Sequence, residues 1–260
     1  MAPSDPDPDL DSNTQLDPAP ATELADAGRR KPLAVELTEP LVQRRLSDVI
    51  YGALLEAVIT GSLSPGQLLH DSELAQELQV SRTPVREALQ RLTEIGLIEI
   101  SPGRFTRVAP VDPHHVADVC RLGGQALALA IELATPQLGA AELRALEAEN
   151  AAFLQAVSAG QSSEVQRSVW AFYEVFTQVA DRPVYTEAVA RLAPHVARWV
   201  RLHRDWEYLP ALGSRREQIL ARVQAGDGAS AARLVCELWN DLADSIASYP
   251  AVADGDTGTV

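Results

Sequence analysis

The sequence predicts a mainly α-helical protein of 260 residues that contains one small β-hairpin. Apolar residues recur at helical spacing between about residues 45 and 95. Two short apolar runs then flank the turn sequence "SPGR". From about residue 112 onward, helical patterns follow one another and only Pro and Gly interrupt them. Because 46% of the residues are apolar and 22% are charged, a packed core is expected.

The first two predicted helices are separated by a Gly- and Pro-containing turn. The helical pattern that starts near Arg45 runs to Val58, and Gly61 with "SLSPGQ" ends it. A second helix of about two turns is predicted to begin near Asp71, which would be its N-cap, and to bury residues up to Leu78. With the next helix it forms the pattern of a helix-turn-helix motif.

The third predicted helix, "SRTPVREALQRLTEI", has two distinct faces. Val85, Leu89 and Leu92 share an apolar face, whereas Arg82 and Arg86 lie four residues apart on the opposite side. Arginine can bind guanine with two hydrogen bonds in the major groove of DNA. Unpaired N–H groups at the start of a helix also attract phosphate. The sequence therefore favours a helix whose N-terminal end reads DNA.

Several residues around this helix leave alternatives open. Pro84 fits the first turn of a helix, and either Ser81 or Thr83 can cap that end. Arg91 is interpreted as a structural residue that pairs with Glu87 or Glu94 on the exposed face of the helix.

A wing follows the third helix. Gly96 is predicted to end the helix in a left-handed conformation. The runs "LIEI" and "FTRV" are predicted to pair as two strands, and the turn between them contains Gly103 and Arg104. The tip of this hairpin would lie over an adjacent minor groove or its phosphates.

Residues 44–109 resemble the DNA-binding domain of the GntR family of bacterial transcription regulators, because "VSRTPVREALQRLTEIGLIEI" is close to the signature of that family. One departure is Gln79, where members of the family usually have Gly. The resemblance implies six DNA-contacting residues, of which the last is an addition suggested by its position: Ser81, Arg82, Thr83, Arg86, Gly103 and Arg104.

The C-terminal part predicts an antiparallel all-α bundle of about six helices. It resembles the ligand-sensing domain, of the FCD type, of the FadR subgroup of GntR regulators, through "AFYEVFTQVADRPV" and "ILARVQAGDGASAA". The predicted helices span residues 112–134, 140–160, 163–180, 183–204, 213–225 and 228–248.

The resemblance also implies where a divalent metal would bind, and this sequence departs from that pattern. Many members of the family use an Asp, and a His four residues later, on the middle helix, with two more His on the last two helices. The matching positions here hold residues that cannot ligate a metal, so neither a metal of that kind nor another cofactor is expected. Those positions are Val169, Tyr173, Arg216 and Leu238.

The same positions suggest an apolar effector pocket. An apolar carboxylate, such as a fatty acid or an acyl-CoA, could place its charged group on Arg216 and its chain against the apolar wall. The alternative is that the tryptophans only fill the core of the bundle, and His195 and His203 are interpreted as surface or core histidines. The candidate ligand-binding residues are Val169, Trp170, Tyr173, Arg216, Leu238 and Trp239.

The predicted domain organisation follows from the distribution of charge and apolar residues. The formal net charge is -14, and residues 1–40 form an acidic, Pro-rich tail and lead-in that is expected to be disordered. A winged helix-turn-helix domain over 41–110 and an all-helical ligand-binding and dimerisation domain over 111–250 follow. Residues 251–260 form a second disordered tail.

These patterns predict a dimeric, cytoplasmic transcription regulator, expected to be a repressor that binds a short inverted repeat in DNA and responds to a small molecule. An enzyme is not expected, because neither a glycine-rich phosphate loop nor a paired-carboxylate or nucleophile motif is apparent. No uninterrupted apolar run of about 18 residues predicts a membrane span. The alternative is a DNA-binding architectural protein whose helical domain only dimerises.

Overall fold

The computed structural model describes residues 46–203 and 209–250. The two tails that the sequence predicts to be disordered, residues 1–40 and 251–260, lie outside the described residues. Within the described part of the chain, no helix combines the length and the apolar character that crossing a membrane requires.

The N-terminal part contains three helices and a two-stranded antiparallel hairpin, as the sequence predicts. Apolar side chains of all five elements form one buried cluster, which includes Leu54, Leu74 and Leu92. The elements are α1 (Leu46–Thr60), α2 (Asp71–Glu77), α3 (Arg82–Glu94), β1 (Ile98–Ser101) and β2 (Phe105–Val108).

The turns around α3 use left-handed backbone conformations. Gln79, in the turn between α2 and α3, has a φ of 54°, although it carries a side chain. Such a conformation costs roughly 1–2 kcal/mol in a residue other than glycine. Gly96 has a φ of 76° and lies just after Ile95, which ends α3, as predicted for a glycine in that position.

The predicted cap of α2 is wrong, whereas that of α3 is right in position. Asp71 is the first residue of α2, and His70 occupies the N-cap position. Ser81 occupies the N-cap position of α3 with an extended backbone, but its side chain makes no capping hydrogen bond among the described atoms. Asp71 is instead free to use its carboxylate on the side chains of α3.

In the described residues after Val111, six long helices form the C-terminal bundle, and the 3₁₀ turn Thr135–Gln137 follows the first of them. Their apolar faces enclose a second buried cluster, whose largest members include Phe153, Phe172 and Trp199. The helices are α4 (Pro113–Ala134), α5 (Ala140–Ser158), α6 (Ser162–Ala180), α7 (Pro183–His203), α8 (Leu209–Gln224) and α9 (Gly228–Ala247).

The predicted start of α8 at residue 213 is four residues too late. Pro210 is tolerated because it lies in the first turn, where a backbone N–H has no helical partner. Gly213 lies inside the helix, and a Cβ atom there would be 2.9 Å from Cδ2 of Leu154 and 3.4 Å from Cε1 of Phe153. This glycine therefore serves the close packing of α8 on α5 and does not break the helix.

Helices α4 and α9 approach each other closely. A Cβ atom on Gly124 would be 2.5 Å from Cβ of Trp239, well inside van der Waals contact. The missing side chain of Gly124 thus allows the indole of Trp239 to lie against α4, where it is 5% exposed.

Candidate functional site

The two faces of α3 are arranged as the sequence predicts. Val85, Leu89 and Leu92 are buried, whereas the side chains of Arg82 and Arg86 are 56% and 65% exposed. The exposed face begins at the N-terminal end of the helix, where backbone N–H groups point out of the helix. Ser81 and Thr83 are exposed at the same end.

A carboxylate on α2 holds both arginines. Nη2 of Arg82 donates to the two carboxylate oxygens of Asp71 at 2.8 and 3.0 Å, and Nε of Arg86 donates to Oδ2 of the same residue. Burial opposes ionisation of Asp71, but the hydrogen bonds and charges of Arg82 and Arg86 outweigh it. The pKa of the Asp71 carboxyl therefore lies below its usual value.

The wing and α3 form the walls of one open groove. Arg86 and Gln90 line it from α3, and Gly103 and Arg104 line it from the hairpin turn. Gly103 has a φ of 70°, and the N–H of Arg104 donates to the carbonyl of Ser101 at 3.0 Å, which closes the turn. All six residues that the sequence predicts to contact DNA are exposed around this groove and the start of α3.

The predicted partners of Arg91 are wrong. Nη1 of Arg91 donates to Oδ1 of Asp48 on α1 at 2.7 Å, and its guanidinium lies 4.0 Å from the centre of the Tyr51 ring. Glu87 and Glu94, the partners expected from spacing along the helix, are replaced by a carboxylate 43 residues earlier in the chain. Arg91 thus joins α3 to α1, and its structural role remains the better interpretation.

A partly open cavity of about 70 Å³ lies between α6, α7, α8 and α9. Five of the six candidate ligand-binding residues line it: Val169, Trp170, Tyr173, Leu238 and Trp239. Helix α7 contributes a further wall that is not expected from the sequence, and this wall consists of Val196, Ala197, Trp199 and Val200. The helical periodicity of α7 could have indicated which residues are buried, but not which neighbouring helices they face.

Few polar groups reach this cavity. Nε1 of Trp239 donates to the hydroxyl of Tyr173 at 3.3 Å, and Nε2 of Gln166 donates to the backbone carbonyl of Ala197 at 2.7 Å. Burial raises the pKa of Tyr173, so its hydroxyl stays protonated at neutral pH. The cavity therefore favours a ligand whose surface is mostly apolar.

Arg216 points into the bundle but does not line this cavity, contrary to the expectation from the sequence. Its guanidinium lies 4.6 Å from the ring centre of Phe153 and 4.3 Å from that of Phe172. Nη2 donates to the backbone carbonyls of Glu149 and Ser168 at 3.3 and 3.2 Å. Among the described residues, Nε and Nη1 of Arg216 have no acceptor.

Burial lowers the pKa of Arg216 to about 10, although Tyr173 and Glu149 act in the opposite direction. The side chain is 0% exposed and still carries its charge at neutral pH. An incompletely paired buried cation is costly, so this site offers two donor nitrogens, Nε and Nη1, to an anion or to water.

Comparison with protein families identifies both parts of the chain. Residues 46–108 match the family described as bacterial regulatory proteins, gntR family, and residues 121–241 match the FCD domain. The chain therefore contains a GntR-family helix-turn-helix domain followed by an FCD domain.

Relatives of this GntR–FCD chain carry regulator names. A regulator described as lying in an unstable DNA locus of Streptomyces ambofaciens is 43% identical over 36% of this chain and 38% of its own length. The regulator McbR of Escherichia coli is 30% identical over 57% of this chain and 65% of its own length. The matched stretch thus spans less than two thirds of these two relatives. The repressor RspR of E. coli is 26% identical over 80% of this chain and 90% of its own.

Solved structures share the fold of the GntR–FCD chain. E. coli McbR/YncC superposes with a TM-score of 0.66 at 21% identity, covering 78% of this chain and 97% of the other. A GntR regulator from Rhodococcus superposes with a TM-score of 0.65 at 20% identity, covering 78% and 99%. At these identities, the likeness shows that the fold is shared.

Val169, Tyr173, Arg216 and Leu238 occupy the positions that would match metal ligands of the family, and none of them is a His, Cys, Asp or Glu. Within residues 46–203 and 209–250, no three His, Cys, Asp or Glu side chains are grouped closely enough to hold a metal ion. His195 is 9% exposed and its Nε2 lies 2.7 Å from the carbonyl oxygen of Ile95, so it is a core histidine with a backbone partner.

Proposed function

We propose that the protein is a sequence-specific transcription repressor whose affinity for its operator depends on a small molecule bound in the FCD domain. The observation that carries the DNA-binding part is the exposed pair Arg82 and Arg86 at the start of α3, beside the turn of the wing. The regulator names of the relatives support the same function. In this proposal the DNA-binding domain spans residues 41–110, and the ligand-binding and dimerisation domain spans residues 111–250.

DNA recognition would use the start of α3 and the wing. Arg82 and Arg86 would read bases in the major groove, while Ser81, Thr83 and the N–H groups of the helix hold phosphates. Gly103 and Arg104 would approach the neighbouring minor groove. Selection from a pool of random DNA duplexes tests the proposal, since a regulator of this kind should enrich a short inverted repeat. Enrichment of no sequence from the pool would contradict it.

A second copy of the chain is the expected partner. Leu122, Leu129 and Leu133 form a stripe along α4 and are 61%, 47% and 38% exposed. The adjacent groove between α4 and α9 carries both signs of charge, with Arg233 beside Glu132, so it can pair with itself across a two-fold axis. Light scattering should find a dimer, and Leu129→Glu should weaken it. An unchanged dimer in that variant would place the interface elsewhere.

The effector is proposed to be an apolar carboxylate, as for a FadR-like sensor. The apolar body would occupy the cavity beside Trp170 and Trp239. Because Arg216 does not line that cavity, the carboxylate would accept hydrogen bonds from its Nε and Nη1 only after the side chains between them have moved. A cavity of about 70 Å³ is smaller than the apolar cavity of about 150 Å³ that binds benzene in another protein. The walls would therefore have to move apart when a longer molecule binds.

Calorimetry with matched probes separates the two parts of the effector proposal. Octanol tests the apolar cavity, and octanoate adds a carboxylate to the same length of chain. Octanoate should bind more tightly than octanol to the wild type but not to Arg216→Met, which keeps a long apolar side chain between Phe153 and Phe172. Equal affinities of the two probes for the wild type would contradict the role of Arg216.

The small volume of the cavity also favours a second function, a DNA-binding architectural protein whose FCD domain only dimerises. The two functions differ in one measurable way. If operator affinity stays the same at saturating octanoate and octanol, and across a wider collection of apolar acids, the architectural function is the better one.

A further inference from the structure

One face of helix α7 lines the cavity, and another face contacts the GntR domain. His195, Arg198 and Leu202 are spaced at i, i+3 and i+7, so they form one stripe along the helix. Cδ2 of Leu202 would lie 3.0 Å from a Cβ atom on Gly61, at the end of α1. The stripe therefore packs against the DNA-binding part of the chain.

His195 binds the end of α3 directly. Its Nε2 lies 2.7 Å from the carbonyl oxygen of Ile95, the residue that ends the helix carrying Arg82 and Arg86. A carbonyl oxygen can only accept, so Nε2 carries the proton. Carbonyls at the end of a helix have no partner within the helix, and His195 supplies one from another domain.

Arg198 makes the second contact. Its Nη2 donates to the carbonyl of Ala109 at 2.7 Å, immediately after β2. Arg198 is 3% exposed, and its Nε has no acceptor among the described residues. One side chain of α7 thus holds the end of α3, and another holds the segment that leaves the wing.

The other face of the same two turns forms a wall of the cavity. Val196, Trp199 and Val200 line it at i, i+3 and i+4. Gln166 of α6, which also lines the cavity, donates to the backbone carbonyl of Ala197. Within the segment 195–200, His195 and Arg198 therefore contact the GntR domain, and the other four residues line the cavity.

Pro194 lies directly before this segment, inside α7. Its ring nitrogen has no hydrogen to donate to the carbonyl of Ala190, so the helix lacks one backbone bond at that point. A helix bends most readily where such a bond is missing. The segment after Pro194 can therefore tilt with respect to the first half of α7.

We propose that residues 195–203 of α7 couple the cavity to α3, with His195 and Arg198 as the positioning residues. This inference rests on the proposed function, because it assigns the regulation of the same cavity. A molecule larger than this cavity of about 70 Å³ displaces the wall at Val196 and Trp199. Because His195 and Arg198 belong to the same turns, the displacement weakens their bonds to Ile95 and Ala109 and reorients α3 and the wing.

One experiment measures the operator affinity of the full-length protein by mobility shift with and without octanol. Saturating octanol should change the dissociation constant of the wild type about tenfold. In the double variant His195→Leu, Arg198→Met, octanol should bind in calorimetry at least as tightly as to the wild type, because its binding no longer weakens these two bonds, but the operator response should fall below twofold. His195→Gln keeps an N–H donor and should respond more than His195→Leu. Arg191→Met, at an exposed position of the same helix, should respond like the wild type.

A second experiment needs no ligand and therefore tests the coupling even if octanol does not bind. Val169→Trp fills the cavity from α6 with a side chain. It should change operator affinity in the wild-type background, and this change should disappear when His195→Leu and Arg198→Met are present.

Failure of octanol to bind would contradict the effector proposal alone. The coupling inference is overturned if Val169→Trp leaves operator affinity unchanged, or changes it equally in both backgrounds. It is also overturned if octanol binds and the double variant responds to it as the wild type does.

Discussion

Arg82 and Asp71 form an ion pair across the helix-turn-helix, in which the single nitrogen Nη2 of Arg82 lies 2.8 and 3.0 Å from the two carboxylate oxygens. The same carboxylate binds Arg86. Two arginines that would otherwise move freely in solvent are thus oriented before DNA arrives, and a negative charge lies close to where phosphates would lie. Both effects favour discrimination between sequences over general attraction to DNA.

Asp71→Asn should therefore weaken discrimination. Loss of the carboxylate removes repulsion of phosphates and frees both arginines, so binding to random duplex should strengthen while binding to the selected operator gains less. Mobility shifts at several salt concentrations measure both affinities. Asp48→Asn removes a similar ion pair, that with Arg91, and is the matched control. An unchanged ratio of operator to random affinity in Asp71→Asn would contradict the orienting role.

Removal of either Arg82 or Arg86 should change operator affinity more than Asp71→Asn does. Arg82→Ala or Arg86→Ala should each weaken operator binding by about 1–3 kcal/mol and relax the base preference at one position. Arg91→Ala should have much less effect on base preference, because that side chain binds Asp48 and Tyr51. Footprinting of the Arg82→Ala, Arg86→Ala double variant gives the decisive result, since normal protection of the operator would exclude this surface.

Two glycine substitutions should change the stability of the fold in different directions. Gly124→Ala forces a Cβ atom against Trp239 and should lower the free energy of unfolding by about 1–3 kcal/mol. Gly52→Ala on α1 meets no atom within 4 Å and should raise it by about 0.5–1 kcal/mol, because Gly disfavours a helix interior. Urea denaturation measures both, and equal effects of the two changes would show that α4 and α9 are less closely packed.

Tyr173→Phe should destabilise the FCD domain by about 1–3 kcal/mol, because Nε1 of Trp239 loses its acceptor in a buried site. Tyr185→Phe, at a partly exposed position of α7, serves as the control and should have little effect on unfolding by urea. If both variants unfold at the same urea concentration as the wild type, water has replaced the Tyr173 hydroxyl.

The sequence predicted those elements whose signals are local. The two faces of α3 and the hairpin follow from the spacing of apolar residues and from the turn at Gly103. Six bundle helices follow from periodicity, but α8 was started too late because Pro210 and Gly213 indicate a break when their neighbours are unknown. Gly213 is explained only by Phe153 and Leu154, which lie about 60 residues earlier in the chain.

The parts of the sites that depend on distant partners could not be predicted. Asp71 was interpreted as a helix cap, and its position beside Arg82 follows only from the angle between α2 and α3. Arg216 was placed correctly inside the bundle, but its position outside the cavity wall depends on how α8 is rotated. His195 and Arg198 bind backbone carbonyls, which every residue carries, so their spacing gives no sign of the partners.

All three tryptophans of the described residues, Trp170, Trp199 and Trp239, surround the cavity. Indole emission depends strongly on the polarity and the packing of the ring's surroundings, so these three rings should respond when the wall that an effector would touch changes. The unlabelled protein thus carries its own optical reporter. A change in emission wavelength or quenching on titration would follow occupancy of the cavity in real time, independently of any DNA.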